Sequence, residues 1–240
     1  MRALAEVARP APAGQLIYTY AVLHPHYGEI GTFTDKINRK PKTMRIEGRL
    51  RIAVKVLGIV LYRKETDVTA IMRDDRLISL QSVTKKGGQY FQVRGEAQGD
   101  QFVVNTTGGT FAAGPATTLP SDPFVLRTGE GTMISTDTGR ISSVQVSGGD
   151  HDTVSVHGHS ISGRRFSVVG ATRREVWLDE HGIPVMFRMV ENGTPIDFVL
   201  RSTTVARTTV ATTHALSSSL EAAEQNNPSP ASLPGFANVH

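Results

Sequence analysis

The chain contains no cysteine, which removes disulfide cross-links and thiolate metal ligands from consideration. Aromatic residues make up only 6% of it, with a single tryptophan. No apolar run approaches the ~20 residues that a membrane-spanning helix needs. The longest greasy stretch, Val54–Tyr62, is broken by Lys55 and Gly58. Charge of one sign is also scarce, because the net value is only +4 and the basic residues are scattered. A massed basic surface for nucleic acid is therefore not expected. Arg45, Arg49, Arg51 and Lys55 do line up, but a row on one strand face reads as a solvated outer surface.

Recognised catalytic patterns are missing too. Serines occur without a Gly-x-Ser-x-Gly turn and without Ser-x-x-Lys in a helix. Lys85-Lys86-Gly87-Gly88 and Gly108-Gly109 are glycine-rich, yet no helix follows either one to supply amide donors to a phosphate. No cofactor is expected.

What is present is a rhythm of two. In residues 44–56, Met44, Ile46, Leu50, Ile52, Val54 and Val56 share one parity, and Arg45, Glu47, Arg49, Arg51 and Lys55 fill the other. Successive side chains of a strand point to opposite faces, so one face is apolar and the other polar. The pattern recurs between turn signals such as Lys40-Pro41-Lys42, Lys85-Lys86-Gly87-Gly88 and Asn192-Gly193. Further strands are expected at 133–136, 141–147, 153–161, 165–178, 183–190 and 195–205. The expected fold is all-β: a single strongly curved antiparallel meander, or half-barrel, of about eleven to thirteen strands. A closed β-barrel is the alternative.

The rhythm breaks once. Between Ala112 and Gly131 stand Gly114, Pro115, Pro120, Pro123 and Gly129, which strands avoid. Ser121-Asp122-Pro123 pairs a capping side chain with a first-turn proline, so one short helical insertion or ordered loop is expected over 122–127. Its place would be across an open end or face of the sheet. Residues 1–14 read as a flexible lead-in, 15–216 as one β domain, and 217–240 as a disordered tail too polar to order itself.

Arg174-Glu175-Val176-Trp177-Leu178-Asp179-Glu180-His181-Gly182-Ile183-Pro184-Val185, the stretch Glu191–Phe198, and the earlier Tyr18-Thr19-Tyr20 and Gly28-Glu29-Ile30-Gly31 together resemble a family of uncharacterised bacterial all-β proteins, a domain of unknown function. The resemblance runs from about residue 16 to 200. That family is in turn distantly similar to the curved sheets of lipoprotein carriers. The resemblance implies a secreted or periplasmic protein with a leader peptide, and it brings no catalytic residues.

Three functions follow as expectations. The leading one is a non-enzymatic binding or carrier module, holding a lipid, another apolar ligand or a lipidated partner in the concave sheet, with Ile46, Leu50, Ile52, Val54 and Val56 as lining. The second is a metal-assisted hydrolase. His157 and His159, two apart on a strand, would share a face and a metal, with Asp150, His151 and Asp152 just upstream. The third is a structural or interaction protein of the envelope. Oligomeric state is not legible in the sequence.

Overall fold

The structure is a computed structural model that describes residues 14–205 apart from positions 58, 110, 172 and 192; the side chains at 14, 56 and 111 are also outside the description. The proposed lead-in before residue 14 and the tail, including 206–216, lie outside the described residues.

The described residues form fifteen strands in one sheet. The first eight are β1 (Gly14–His24), β2 (Gly28–Lys40), β3 (Thr43–Val56), β4 (Ile59–Arg73), β5 (Arg76–Lys86), β6 (Gln89–Gln98), β7 (Gln101–Thr106) and β8 (Phe111–Pro115). The remaining seven are β9 (Leu119–Pro120), β10 (Gly129–Ile134), β11 (Ile141–Val156), β12 (His159–Val169), β13 (Arg174–Leu178), β14 (Pro184–Glu191) and β15 (Thr194–Val205). The order runs β8 through β1, then β15 back to β9. Every pairing is antiparallel except β9 with β10. The first and last strands therefore meet in the middle of the sheet, with Leu16 opposite Val205 and Leu23 opposite Asp197. The two edges, β8 and β9, are neighbours in sequence.

That arrangement explains why the sheet stays open. Pro115 ends β8 and Pro120 sits in β9, and neither can donate a backbone hydrogen bond across a seam. The link between them closes on itself instead, with the Thr118 amide and hydroxyl both donating to the Pro115 carbonyl, at 2.9 and 2.7 Å. The edges remain close. A Cβ on Gly114 of β8 would lie 3.0 Å from Ile141 at the start of β11.

The parity read from 44–56 holds. Ile46, Ile52 and Val54 are buried, while Arg45 and Arg49 face out. The outer charges pair with one another, as in Arg45–Glu47 at 2.6 Å and Arg51–Asp67 at 2.8 Å. Inside, one core draws on strands from both halves of the sheet, from Tyr18 and Ile46 to Phe166 and Phe198.

Two expectations need correction. There are fifteen strands rather than eleven to thirteen, and no helix forms over 122–127. Asp122 does cap, its carboxylate accepting the Phe124 amide at 2.9 Å, but a single turn follows before the chain extends toward β10. The apolar run it carries is used for packing instead. Val125 is buried, Phe124 packs on Tyr18 with ring centroids 4.6 Å apart, and Arg127 donates to the Asp75 carbonyl at the β4–β5 turn. The segment thus runs through the interior of the curved sheet.

Other differences lie in the second half. The segment 153–161 is not one strand but the tip of the β11–β12 hairpin, turning at His157-Gly158, with Val156 opposite His159. The expected strand 165–178 is likewise two strands, parted after Val169. The long hairpin bends at the Gly148-Gly149 pair, whose φ values of 106° and 116° suit only glycine. Beyond the bend, Val154, Val156 and Ile161 cover Trp177 and Met186 as a second, smaller core. The alternation at 153–161 was therefore real, and the face it buries is the outer one.

The loop between β10 and β11 also reaches inward. Gly139 is buried at φ 73°, and a Cβ there would lie 2.8 Å from Thr106 and 3.1 Å from Val93. Gly139→Ala combines a disfavoured backbone conformation with a collision against β6 and β7. It is expected to cost about 2 kcal/mol of stability in urea denaturation, whereas Gly87→Ala in an open turn should cost less.

Candidate functional site

The interior is not filled. A cavity of about 520 Å³ lies inside the curve, lined by Phe33, Leu50 and Val68 from the first half of the sheet and by Val144, Val168, Phe187 and Phe198 from the second. Ser121, Asp122 and Pro123 of the inner segment also line it. Its aromatic wall comes from β2, β14 and β15. Phe187 and Phe198 stack with centroids 4.4 Å apart, and Phe33 meets both edge-on at 5.7 and 5.8 Å. Tyr20 of β1 backs this group and anchors its hydroxyl to the Pro184 carbonyl at 2.9 Å.

One end of the cavity is polar. Lys64, Lys86, Arg140 and Arg174 line it together with Asp122, Asp137 and Glu191. Two ion pairs span the lumen there: Lys64–Asp137 at 2.9 Å and Lys86–Glu191 at 3.3 Å. β5 lies far from β14 in the sheet order, and β4 far from β10 and β11, whose connecting loop carries Asp137, so these contacts cross the hollow rather than the sheet. Lys86 and Glu191 are partly exposed, which marks this end as the mouth.

Burial alone would lower the Lys64 ammonium, but Asp137 beside it raises it above its usual range. Burial would likewise raise Asp137, yet Lys64 and the Ser135 hydroxyl, 2.6 Å away, hold it below the usual carboxylate range. Arg174 donates to the Ser121 carbonyl at 2.9 Å, while its buried Nε has no hydrogen-bond partner among the described residues. Burial lowers its guanidinium, opposed by Asp137 and Asp122. Burial pushes Asp122 to about 6, against the pull of the Phe124 amide and Arg174.

Of the five lining residues read from the sequence, Leu50 lines the cavity. Ile46, Ile52 and Val54 are buried in the core. The side chain of Val56 lies outside the described residues. His157 and His159 are not side by side on a strand. His157 occupies a turn at φ 48° and His159 opens the next strand, both exposed. Among the described residues no group of three or more His, Cys, Asp or Glu side chains is placed to hold a metal ion. Asp152 serves elsewhere, accepting from Trp177 Nε1 at 3.3 Å.

The polar end escaped the sequence reading. Lys64 gave a signal, for it shares its parity with Tyr62, Thr66 and Val68 and so had to point inward. Asp35, between Phe33 and Ile37, gave the same signal. It is fully buried opposite Gly48, and neither carboxylate oxygen has a hydrogen-bond partner among the described residues. Asp137 and Arg140 sit in a turn, where parity is silent.

Residues 21–201 match the family described as Domain of unknown function (DUF6134). No curated protein matches the chain. Among solved structures, the chain is similar to the crystal structure of a beta-barrel-like protein of domain of unknown function DUF1849 from Brucella abortus. The TM-score is 0.60 at 10% identity, covering 82% of this chain and 100% of that one. At that identity the likeness concerns the fold. No helix among the described residues is long and apolar enough to cross a membrane.

Burial raises the Asp35 carboxyl well above its ordinary 3.8, and the nearby Asp122 charge adds to the rise. A carboxyl raised in the folded state supports folding fully below its unfolded value and loses that contribution as pH climbs through the folded one. Asp35→Val should therefore stabilise the protein by about 1–3 kcal/mol near neutral pH. The gain should grow as pH rises above 3.8. Urea denaturation across a pH series checks this, and a gain largest in acid would contradict it.

Proposed function

The chain belongs to this family of unknown function, and we propose that it is a non-enzymatic binding module that holds a single-chain amphiphile with an acidic head. The carrying observation is the cavity itself, which is apolar along its aromatic wall and cationic at its mouth. A volume of about 520 Å³ falls within the ordinary range for small-molecule pockets. An acyl chain would lie along Phe33, Leu50, Phe187 and Phe198, where burial contributes about 0.8 kcal/mol per methylene. The head would meet Lys86, Arg140 and Arg174, whose Nε offers a donor that no described residue accepts.

Charge supports the same orientation. Four cations face three carboxyls at this end, and burial raises one of those carboxyls, Asp122, to about 6, so that it gives up its charge more readily than an ordinary carboxylate. The location proposed is the periplasm or the cell exterior, the setting that the sequence resemblance implies. A lipidated partner segment would use the same groove by its acyl group.

Fluorescence titration with a dansyl-labelled fatty acid tests the reading. Saturable binding is expected, displaced by unlabelled fatty acid. Leu50→Trp, which fills the hollow from one wall, should weaken it by about tenfold, or ~1.4 kcal/mol. A labelled fatty alcohol should bind less well than the acid. Absence of saturable binding to the well-folded wild-type protein would remove the proposal.

A further inference from the structure

We propose that the tip of the β3–β4 hairpin is a membrane-docking element that enters the interfacial region of an anionic lipid bilayer. The hairpin outruns both of its neighbours. β2 pairs with β3 only as far as Gly31 opposite Ile52, and β5 pairs with β4 only as far as Lys86 opposite Lys64. Beyond those points the described residues of 53–62 pair within the hairpin, from Ala53 opposite Arg63 to Val56 opposite Ile59. The last backbone link to a neighbour is the Gly87 amide to the Arg63 carbonyl, at 3.4 Å.

This free ribbon is apolar where water would favour polar residues. Leu57 is 97% exposed, Ile59 66% and Leu61 61%, with Val60 beside them. Tyr90 and Phe91, at the start of the adjoining β6, extend the patch, and Phe91 shares a surface groove with Val60 and Leu61. Leu57 also holds φ 51°, a left-handed conformation that a bulky side chain rarely adopts. A large apolar side chain at the exposed apex of a turn, in a backbone state suited to glycine or asparagine, is not explained by the packing of the fold.

Charge decides between occupants. Lys55 on the hairpin and Lys85 beside it form no ion pair with any described residue, and Lys85 lies over the Tyr90 ring at 5.2 Å. Apolar apex, aromatic flank and cationic rim form the combination that partitions into the headgroup region of anionic membranes. A second copy of the chain, paired about a two-fold axis, would bring the same cations against each other. A bilayer surface neutralises them instead. The tip stands at the end of the sheet that carries Lys64, Lys86 and Glu191, so docking would set the cavity mouth on the lipid surface. The docking proposal does not depend on what the cavity holds.

Co-sedimentation of the full-length protein with vesicles tests it, using phosphatidylcholine alone and equal parts phosphatidylcholine and phosphatidylglycerol. Wild type should pellet with the anionic vesicles, less so as salt is raised, and weakly with neutral ones. The double variant Leu57→Asp/Leu61→Asp should reduce the bound fraction at least tenfold. Lys55→Glu/Lys85→Glu should remove most of the preference for the anionic lipid. These side chains are exposed, so circular dichroism and thermal melting should match wild type. Leu50→Trp, which blocks the cavity, should sediment as wild type does and so separates this proposal from the binding reading. Wild-type protein that stays in the supernatant, or equal binding to both vesicle types, would overturn the inference. So would a wild-type dimer that the leucine variant converts to monomer without any vesicle binding.

Discussion

A sheet of fifteen strands with one apolar face must hide that face from water, and curling is the only way a single sheet can do so alone. Curling creates a second difficulty. Side chains fill the interior of a barrel of about eight strands, and a wider one leaves space that they cannot reach across. The interior of this protein is a response to that geometry. The segment 121–128 passes through the hollow, the β10–β11 loop presses Gly139 against β6 and β7, and four aromatic rings thicken one wall. What these devices leave unfilled is the cavity. The pocket is thus a remainder of the architecture before it is a site, and its chemistry has to be argued from the groups lining it.

Those groups divide the hollow along its axis. The aromatic wall sits over the central strands, where β2, β1, β15 and β14 lie side by side. The ionisable groups collect at strand ends, as with Lys86, Arg174 and Glu191, and where loops enter the lumen, as with Asp122, Asp137 and Arg140. Lys64 lies well inside its strand, a cation aimed inward and met by a loop carboxylate at 2.9 Å. A partly buried pair of this kind adds little net stability over apolar residues of the same shape. It does tie the first half of the sheet to the second across the opening. Asp35 has no such partner and costs stability, which leaves its presence without a structural explanation.

The architecture was legible where the two faces of a strand meet different surroundings. Residues 44–56 alternate cleanly because one face meets the core and the other meets water. The same logic misled at 153–161, where the alternation belongs to a hairpin arm folded over Trp177 and the turn at His157-Gly158 interrupts it. Two histidines that would share a strand face are thereby separated. The interruption at 115–131 was visible as a cluster of proline and glycine, and its position inside the curve agrees with the role of covering the apolar face. Its lack of helix was not visible, because a capping residue and a first-turn proline say how a helix starts and not whether it continues. Leu50 was found by parity, as was the buried character of Ile46, Ile52 and Val54. The residues at the mouth depend on strands far apart in the sheet, and no local pattern encodes that.

The pairing of β1 with β15 governs how the molecule assembles. Each half of the sequence is a meander of neighbouring strands, formed by short-range contacts. Among the strand pairings of the described residues, that of β1 with β15 joins them, and it closes a loop that runs through all the strands between. Assembly should therefore be rapid within each half and slow at their junction, with the hollow absent until the final zippering is complete. One pair of terminal strands, through its alignment, determines whether there is an interior at all.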